Sequence, residues 1–127
     1  MRKSLKISCC LLILLSCSQK KGPLIYYSER IINLGNISFN KTFNGSIWIK
    51  NVGDETLNLS DISTDCSCTV PGIKKAKILP GDSLRLPFII TPAEDGFIQQ
   101  SIYINNNSVN ESRVLFLIRA KINLLNK

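Results

Sequence analysis

Two stretches of this chain carry an apolar side chain at every second position. One holds Leu84, Leu86, Phe88 and Ile90; the other holds Val114, Phe116, Ile118, Ala120 and Ile122. A row of that period lies on one face only in an extended strand, whereas a helix of 3.6 residues per turn would scatter it. Shorter stretches repeat the pattern. Ile47 and Ile49 oppose Trp48 and Lys50, Leu57 and Leu59 alternate with Asn58 and Ser60, and Ile102 and Ile104 share a face within Ile98–Ile104. Leu24–Ser28 and Arg30–Leu34 read as a broken first strand. Clusters of Asn, Asp, Gly and Pro separate these segments, as in Asn51-Val52-Gly53-Asp54. No window shows a helical period. The expected fold is all-β, with two half-buried sheets packed face to face as a β-sandwich.

Three positions depart from that pattern. Pro87 falls in mid-strand, where it donates no ladder hydrogen bond, so its strand is expected at an edge or bulged. Leu115 and Leu117 fall on the outer face of the last strand, where either the Leu24–Tyr27 segment covers them or they meet a partner. Trp48 shares a polar face with Ser46 and Lys50; it either lies flat over cross-strand neighbours or anchors an interface.

Before the first strand the chain has the form of a secretory signal. A basic start, Met1-Arg2-Lys3-Ser4-Leu5-Lys6, leads into an apolar run from Ile7 and ends at Leu14-Leu15-Ser16-Cys17. The run is too short to cross a bilayer, which takes about 20 residues. Leu-Leu-Ser-Cys resembles the lipobox of bacterial lipoproteins, which implies cleavage before Cys17 and a lipid on its thiol. The division expected is a signal peptide over 1–16, a lipidated tether over 17–23 and one folded domain over 24–127. Arg2, Lys3 and Lys6 belong to the signal, so the formal charge of +7 is no indication of nucleic-acid binding. Lys20-Lys21 follow the lipid site, and Lys74-Lys75-Ala76-Lys77 reads as a solvated loop. The expected address is the outer membrane, on its periplasmic side: Ser18-Gln19-Lys20-Lys21 lacks the acidic residues of a surface-export signal.

The sequence contains no histidine, which excludes Ser-His-Asp and Cys-His catalysis. No carboxylate pair and no Gly-rich phosphate loop stands out, and no cofactor is expected. Of five cysteines, Cys9 and Cys10 fall in the signal and Cys17 is the lipid site. Cys66 and Cys68 remain. Residues two apart on a strand face the same way, and several readings stay open: buried small hydrophobes, a disulfide around Ser67, a soft-metal pair, or a disulfide to a partner.

Four motifs then occur in order: Ile32-Asn33-Leu34-Gly35-Asn36-Ile37, Ile49-Lys50-Asn51-Val52-Gly53-Asp54-Glu55-Thr56-Leu57, Asp65-Cys66-Ser67-Cys68-Thr69-Val70-Pro71, and Ile78-Leu79-Pro80-Gly81-Asp82-Ser83. Together they resemble the DUF1573 family of bacterial envelope proteins, with Cys-x-Cys-Thr-x-Pro as the specific element. Ser67 stands where the family usually has glycine, and Thr56 where it often has proline. The resemblance implies a seven-stranded immunoglobulin-like sandwich akin to PapD and ASPM/SPD-2/Hydin modules, and no established activity. The expectation is a non-enzymatic lipid-anchored module that touches another envelope protein through a sheet edge or the Leu115/Leu117 face. A redox-responsive or copper-handling protein using Cys66 and Cys68 is one alternative, and a structural spacer another.

Overall fold

A computed structural model describes residues 21–124, so the expected signal and Cys17 lie outside the described residues. Nine strands follow in chain order: β1 (Ile25–Tyr26), β2 (Ile31–Ser38), β3 (Phe43–Asn51), β4 (Leu57–Thr64), β5 (Thr69–Pro71), β6 (Ala76–Ile78), β7 (Ser83–Ile90), β8 (Gly96–Asn106) and β9 (Arg113–Asn123). They form a four-stranded sheet, β1-β3-β7-β5, and a five-stranded sheet, β2-β9-β8-β4-β6. The fold is an immunoglobulin-like sandwich.

The alternating rows meet between the sheets. Leu86, Phe88 and Ile90 of β7 face Ile102, Ile104, Val114, Phe116 and Ile118 of β8 and β9, all of them buried. Each such side chain contributes about 1.5–3 kcal/mol by leaving water, and together they fix which face of each strand turns inward. Gly45 of β3 exists to seat one of them. A Cβ there would stand 2.3 Å from Cζ of Phe88, so the ring occupies the space a side chain would need.

The strand count differs from the seven expected, for physical reasons. The broken first strand is broken because it changes sheets: β1 pairs antiparallel with β3, and β2 pairs parallel with β9. The strands β5 and β6 hold three residues each, too few to display a period. The run Lys74–Lys77, expected as a loop, contributes Ala76 and Lys77 to β6, which pairs with Leu57–Leu59. Pro87 also departs from expectation. Its strand, β7, lies inside the sheet between β3 and β5. The Pro87 carbonyl accepts from Gly72 N at 2.8 Å, and a residue's N and O point to one side of an antiparallel strand. The missing N–H therefore faces the place where β5 has just ended, and the ladder to β3 loses nothing.

At the pole where the described chain begins, one side chain ties four segments together. Asn51 is fully buried at the end of β3. Its Nδ2 donates to the carbonyls of Glu55 (2.7 Å) and Ile78 (2.9 Å). Its Oδ1 accepts from Gly53 N (3.0 Å) and Leu24 N (3.4 Å). Gly22 and Pro23, read from the sequence as the end of a tether, are buried here. Gly22 N donates to Asp54 Oδ1 at 2.6 Å, and Val109 N donates to the Pro23 carbonyl at 2.9 Å. Gly53 permits this approach, because a Cβ on it would stand 2.1 Å from the Gly22 carbonyl oxygen.

Two substitutions test this packing by thermal unfolding. Gly45→Ala pushes a methyl into the Phe88 ring and is expected to cost about 1–3 kcal/mol. Asn51→Ala leaves two carbonyls and two N–H groups without their partner and is expected to cost about 2–4 kcal/mol. A melting temperature unchanged in either variant contradicts the account.

Candidate functional site

The sequence-derived positions do not gather into one site. Cys66 and Cys68 sit in the turn between β4 and β5, at the pole opposite the entry of the chain. Trp48 lies on the outer face of the four-stranded sheet, and Leu115 and Leu117 on the outer face of the other. Cys17 falls outside the described residues.

The two sulfurs are joined as a disulfide that brackets the single residue Ser67, with Cα atoms 5.2 Å apart. Bending the chain out of β4 achieves that spacing, which full extension would barely allow. Ser67 keeps a negative φ; among the described residues only Asn40 is a non-glycine with positive φ. The turn is closed by Thr69 N donating to the Cys66 carbonyl at 3.2 Å. Thr64 Oγ1 lies 2.9 Å from the carbonyl of Cys66 and 3.0 Å from that of Thr69. Thr91 N donates to the Cys68 carbonyl at 2.8 Å, which ties the turn to the loop after β7. Both cysteines are half-buried and line a recess of about 230 Å3 with Ile90, Pro92, Ala93, Glu94, Ile98 and Gln100. The disulfide takes both sulfurs from the soft-metal reading. No group of three or more His, Cys, Asp or Glu able to hold a metal occurs among the described residues.

Leu115 and Leu117 are half-buried. The segment offered as their cover, Leu24–Tyr27, belongs instead to the opposite sheet through β1. Their shielding comes from lateral neighbours: Tyr103 is paired with Leu115, and Ser101 and Ile31 flank Leu117. The Arg113 guanidinium lies 4.9 Å from the Tyr103 ring centroid and extends that cover. Farther along the same face Phe97 is 85% exposed, with the Lys121 ammonium 5.6 Å from its ring centroid.

Trp48 is 59% exposed and stands opposite Arg85 of β7. What the sequence did not reveal is the backbone beside it. The strand β1 pairs only with Lys50 and Asn51, so it covers one end of β3. Val52 N donates to the Leu24 carbonyl and Asn51 N to the Asp82 carbonyl, which fixes the parity of the strand. By that parity the N–H and C=O groups of Asn44, Ser46 and Trp48 face away from β7. No strand of the described residues lies on that side. The sequence signal for it is the break at Ser28-Glu29-Arg30, where the first strand leaves β3 for the other sheet.

Where β1 ends, a notch of about 290 Å3 opens, lined by Tyr26, Tyr27, Ser28, Trp48, Ile49, Lys50 and Ser83. Its inner wall is set by Tyr27. The Tyr27 ring packs edge-on to Phe116 at 4.9 Å, and its hydroxyl donates to Glu111 Oε2 at 2.7 Å. Arg30 completes the group, bonded to the Tyr27 hydroxyl and 2.8 Å from Glu111 Oε1. Burial, followed by the Glu111 carboxylate, raises the Tyr27 phenol above its ordinary 10.0. The contact to Tyr27 likewise raises Arg30, which stays cationic.

A family described as protein of unknown function, DUF1573, matches residues 25–122. No curated protein sequence matches the chain. Among solved structures, a protein of unknown function from Porphyromonas gingivalis is similar at 21% identity and a TM-score of 0.68, over 86% of this chain and 51% of that one. This chain therefore spans about half the length of that protein. A PapD-like domain of human CEP192 is similar at 9% identity and a TM-score of 0.65, over 99% of this chain and 100% of that one. The chaperone–tip adhesion subunit pre-assembly complex of Csu pili from Acinetobacter baumannii gives 16% identity and a TM-score of 0.54, over 79% of this chain and 56% of that one. At these identities the likeness is one of fold.

The Tyr27 group has a measurable pH signature. Its folded value stands above the unfolded one, so its stabilisation is complete below about pH 10 and is lost as pH climbs through the raised value. Tyr27→Phe is expected to be less stable at neutral pH, by about 0.5–1.5 kcal/mol, and to lose less stability on going above pH 10. Equal alkaline losses in both proteins, measured by denaturant unfolding, contradict this.

Proposed function

The chain belongs to the DUF1573 family, and from that premise we propose that it is a lipid-anchored module of the cell envelope that holds another envelope protein by strand addition at the open edge of β3. The observation that carries this reading is the half-covered strand. Among the described residues no strand pairs with the outward backbone donors and acceptors of Asn44, Ser46 and Trp48, which fall along one line. Natural sheets seldom leave such an edge bare. An added strand gains affinity from main-chain bonds and specificity from pockets for alternate side chains. Tyr26 and Trp48, both more than half exposed, flank the notch where that strand would begin. Aromatic residues of this kind are favoured anchors at interfaces. One similar structure is itself a chaperone bound to a tip adhesion subunit, a use of such a sandwich for holding a partner protein.

The anchor is proposed at Cys17, on the periplasmic side of the outer membrane. Four residues, Ser18 to Lys21, then separate the lipid from the Gly22 clamp. Acyl chains contribute about 0.8 kcal/mol per buried CH2, so two chains hold the protein without a membrane span. No catalytic residue is needed for contact of this kind, which suits a chain without histidine.

Three substitutions separate the parts of the proposal. Ser46→Pro removes an N–H that faces the open side and leaves the β3–β7 ladder intact. It is expected to keep the melting temperature within a few degrees and to abolish co-purification of the partner from detergent-solubilised envelopes. Leu117→Lys is expected to leave that co-purification unchanged. Cys17→Ser is expected to move the protein from the membrane to the soluble fraction. A partner retained by Ser46→Pro but lost in Leu117→Lys moves the contact to the other sheet.

A further inference from the structure

We propose that the Cys66–Cys68 bridge is a thiol–disulfide exchange site that oxidises a dithiol in an apolar protein segment, with Cys68 as the sulfur attacked and Cys66 as the leaving group. The proposal stands apart from the β3 edge, since the bridge lies in the turn that leads into β5, and β7 separates β5 from β3.

The bridge does little for the fold. A disulfide stabilises by closing a loop, and the effect grows with loop length; this loop holds one residue. The turn is closed without it, by Thr69 N on the Cys66 carbonyl, Thr91 N on the Cys68 carbonyl and Ser101 N on Asp65 Oδ1. Opening the bridge therefore leaves the turn in place, so the dithiol and disulfide forms share one scaffold.

The two sulfurs are not equivalent. Cys68 N donates to Cys66 Sγ at 3.2 Å. A hydrogen bond to sulfur favours the thiolate on Cys66 over the thiolate on Cys68, and the better-stabilised thiolate leaves faster. The recess beside the pair supplies the docking surface. Ile90, Pro92, Ala93 and Ile98 give it apolar walls, and Glu94 sets a negative charge at its lining. A segment with apolar residues around its cysteines fits those walls, and an acidic one is repelled.

The exchange balances as follows. A substrate thiolate attacks Cys68 Sγ, forming a mixed disulfide as the Cys66–Cys68 bond breaks. The electron pair of that bond leaves on Cys66, facing Cys68 N–H, and takes up the proton that the substrate thiol released. The second substrate thiolate then attacks the first substrate sulfur and expels Cys68, which is protonated in turn. Two electrons and two protons pass from substrate to protein.

The test uses the purified protein and a reduced synthetic peptide with one cysteine between valines, which stops at the mixed disulfide. After an alkylating quench, peptide mapping is expected to place the peptide on Cys68 over Cys66 by about threefold or more, because the sulfur that accepts the Cys68 N–H leaves faster. A glutamate-flanked peptide is expected to react more slowly, and a two-cysteine valine peptide to emerge oxidised against an equal amount of protein dithiol. Equal labelling of the two cysteines, or a bridge left intact while the same peptide reduces oxidised glutathione, overturns the proposal.

Discussion

The buried amide of Asn51 is the constraint on which the other features depend. A primary amide offers two donors and two acceptor positions in one plane, and here all four directions are used within a site that water does not reach. Three consequences follow from that geometry. The β3–β4 turn is locked through Gly53 and Glu55, and β6 is attached through Ile78. The arriving chain is held through Leu24, which commits β1 to β3. Because β1 is fixed at that point, its short length leaves the remainder of β3 uncovered, and the open edge is a product of the same contact. Neither an aspartate nor a leucine of similar volume supplies this combination of donors and acceptors, so the packing is specific to the amide.

Much of the sandwich was legible in period-two alternation because that pattern reports burial directly. The rows of β7 and β9 face the core as read, with Leu86, Phe88 and Ile90 on one side and Val114 to Ile122 on the other. Two kinds of feature were not legible. Strands of three residues, β5 and β6, carry no period, and Lys74–Lys77 hid one of them beneath a charge run. Lateral pairing was also hidden. Alternation gives the face of a strand and says nothing of its neighbours, so the interior place of Pro87 and the half-covered β3 came only from the register. Asn51 illustrates the limit well. In sequence it is one of several turn residues in Asn51-Val52-Gly53-Asp54, and its burial follows from what the distant Leu24 and Ile78 bring to it.

The candidate site divides in the same manner. Cys66 and Cys68 announced themselves by composition, as the two cysteines of the expected domain. The hydrogen bond that distinguishes one sulfur from the other depends on a bend no residue pattern specifies. Trp48 was visible as an outlier on a polar face, whereas the backbone beside it has no sequence signature beyond the break at Ser28–Arg30. Leu115 and Leu117 were visible as a pair on an outer face, whereas their lateral neighbours, Tyr103 beside Leu115 and Ile31 beside Leu117, came only from the register.

The parallel pairing of β2 with β9 has a mechanical consequence. The two strands run side by side from Ile31 and Leu117 to Ser38 and Asn123, with one irregularity at Asn33–Asn36. The chain enters the domain upstream of β2, and β9 ends at the opposite pole. Tension between those two ends pulls the strands past one another along their own axes. All the ladder bonds between them are then strained together, in shear, and none can open ahead of the rest as in a zipper. Under such tension the β2–β9 ladder is loaded in shear, and the irregularity between Asn33 and Asn36, where Gly35 takes a positive φ, marks the point where that resistance is least continuous.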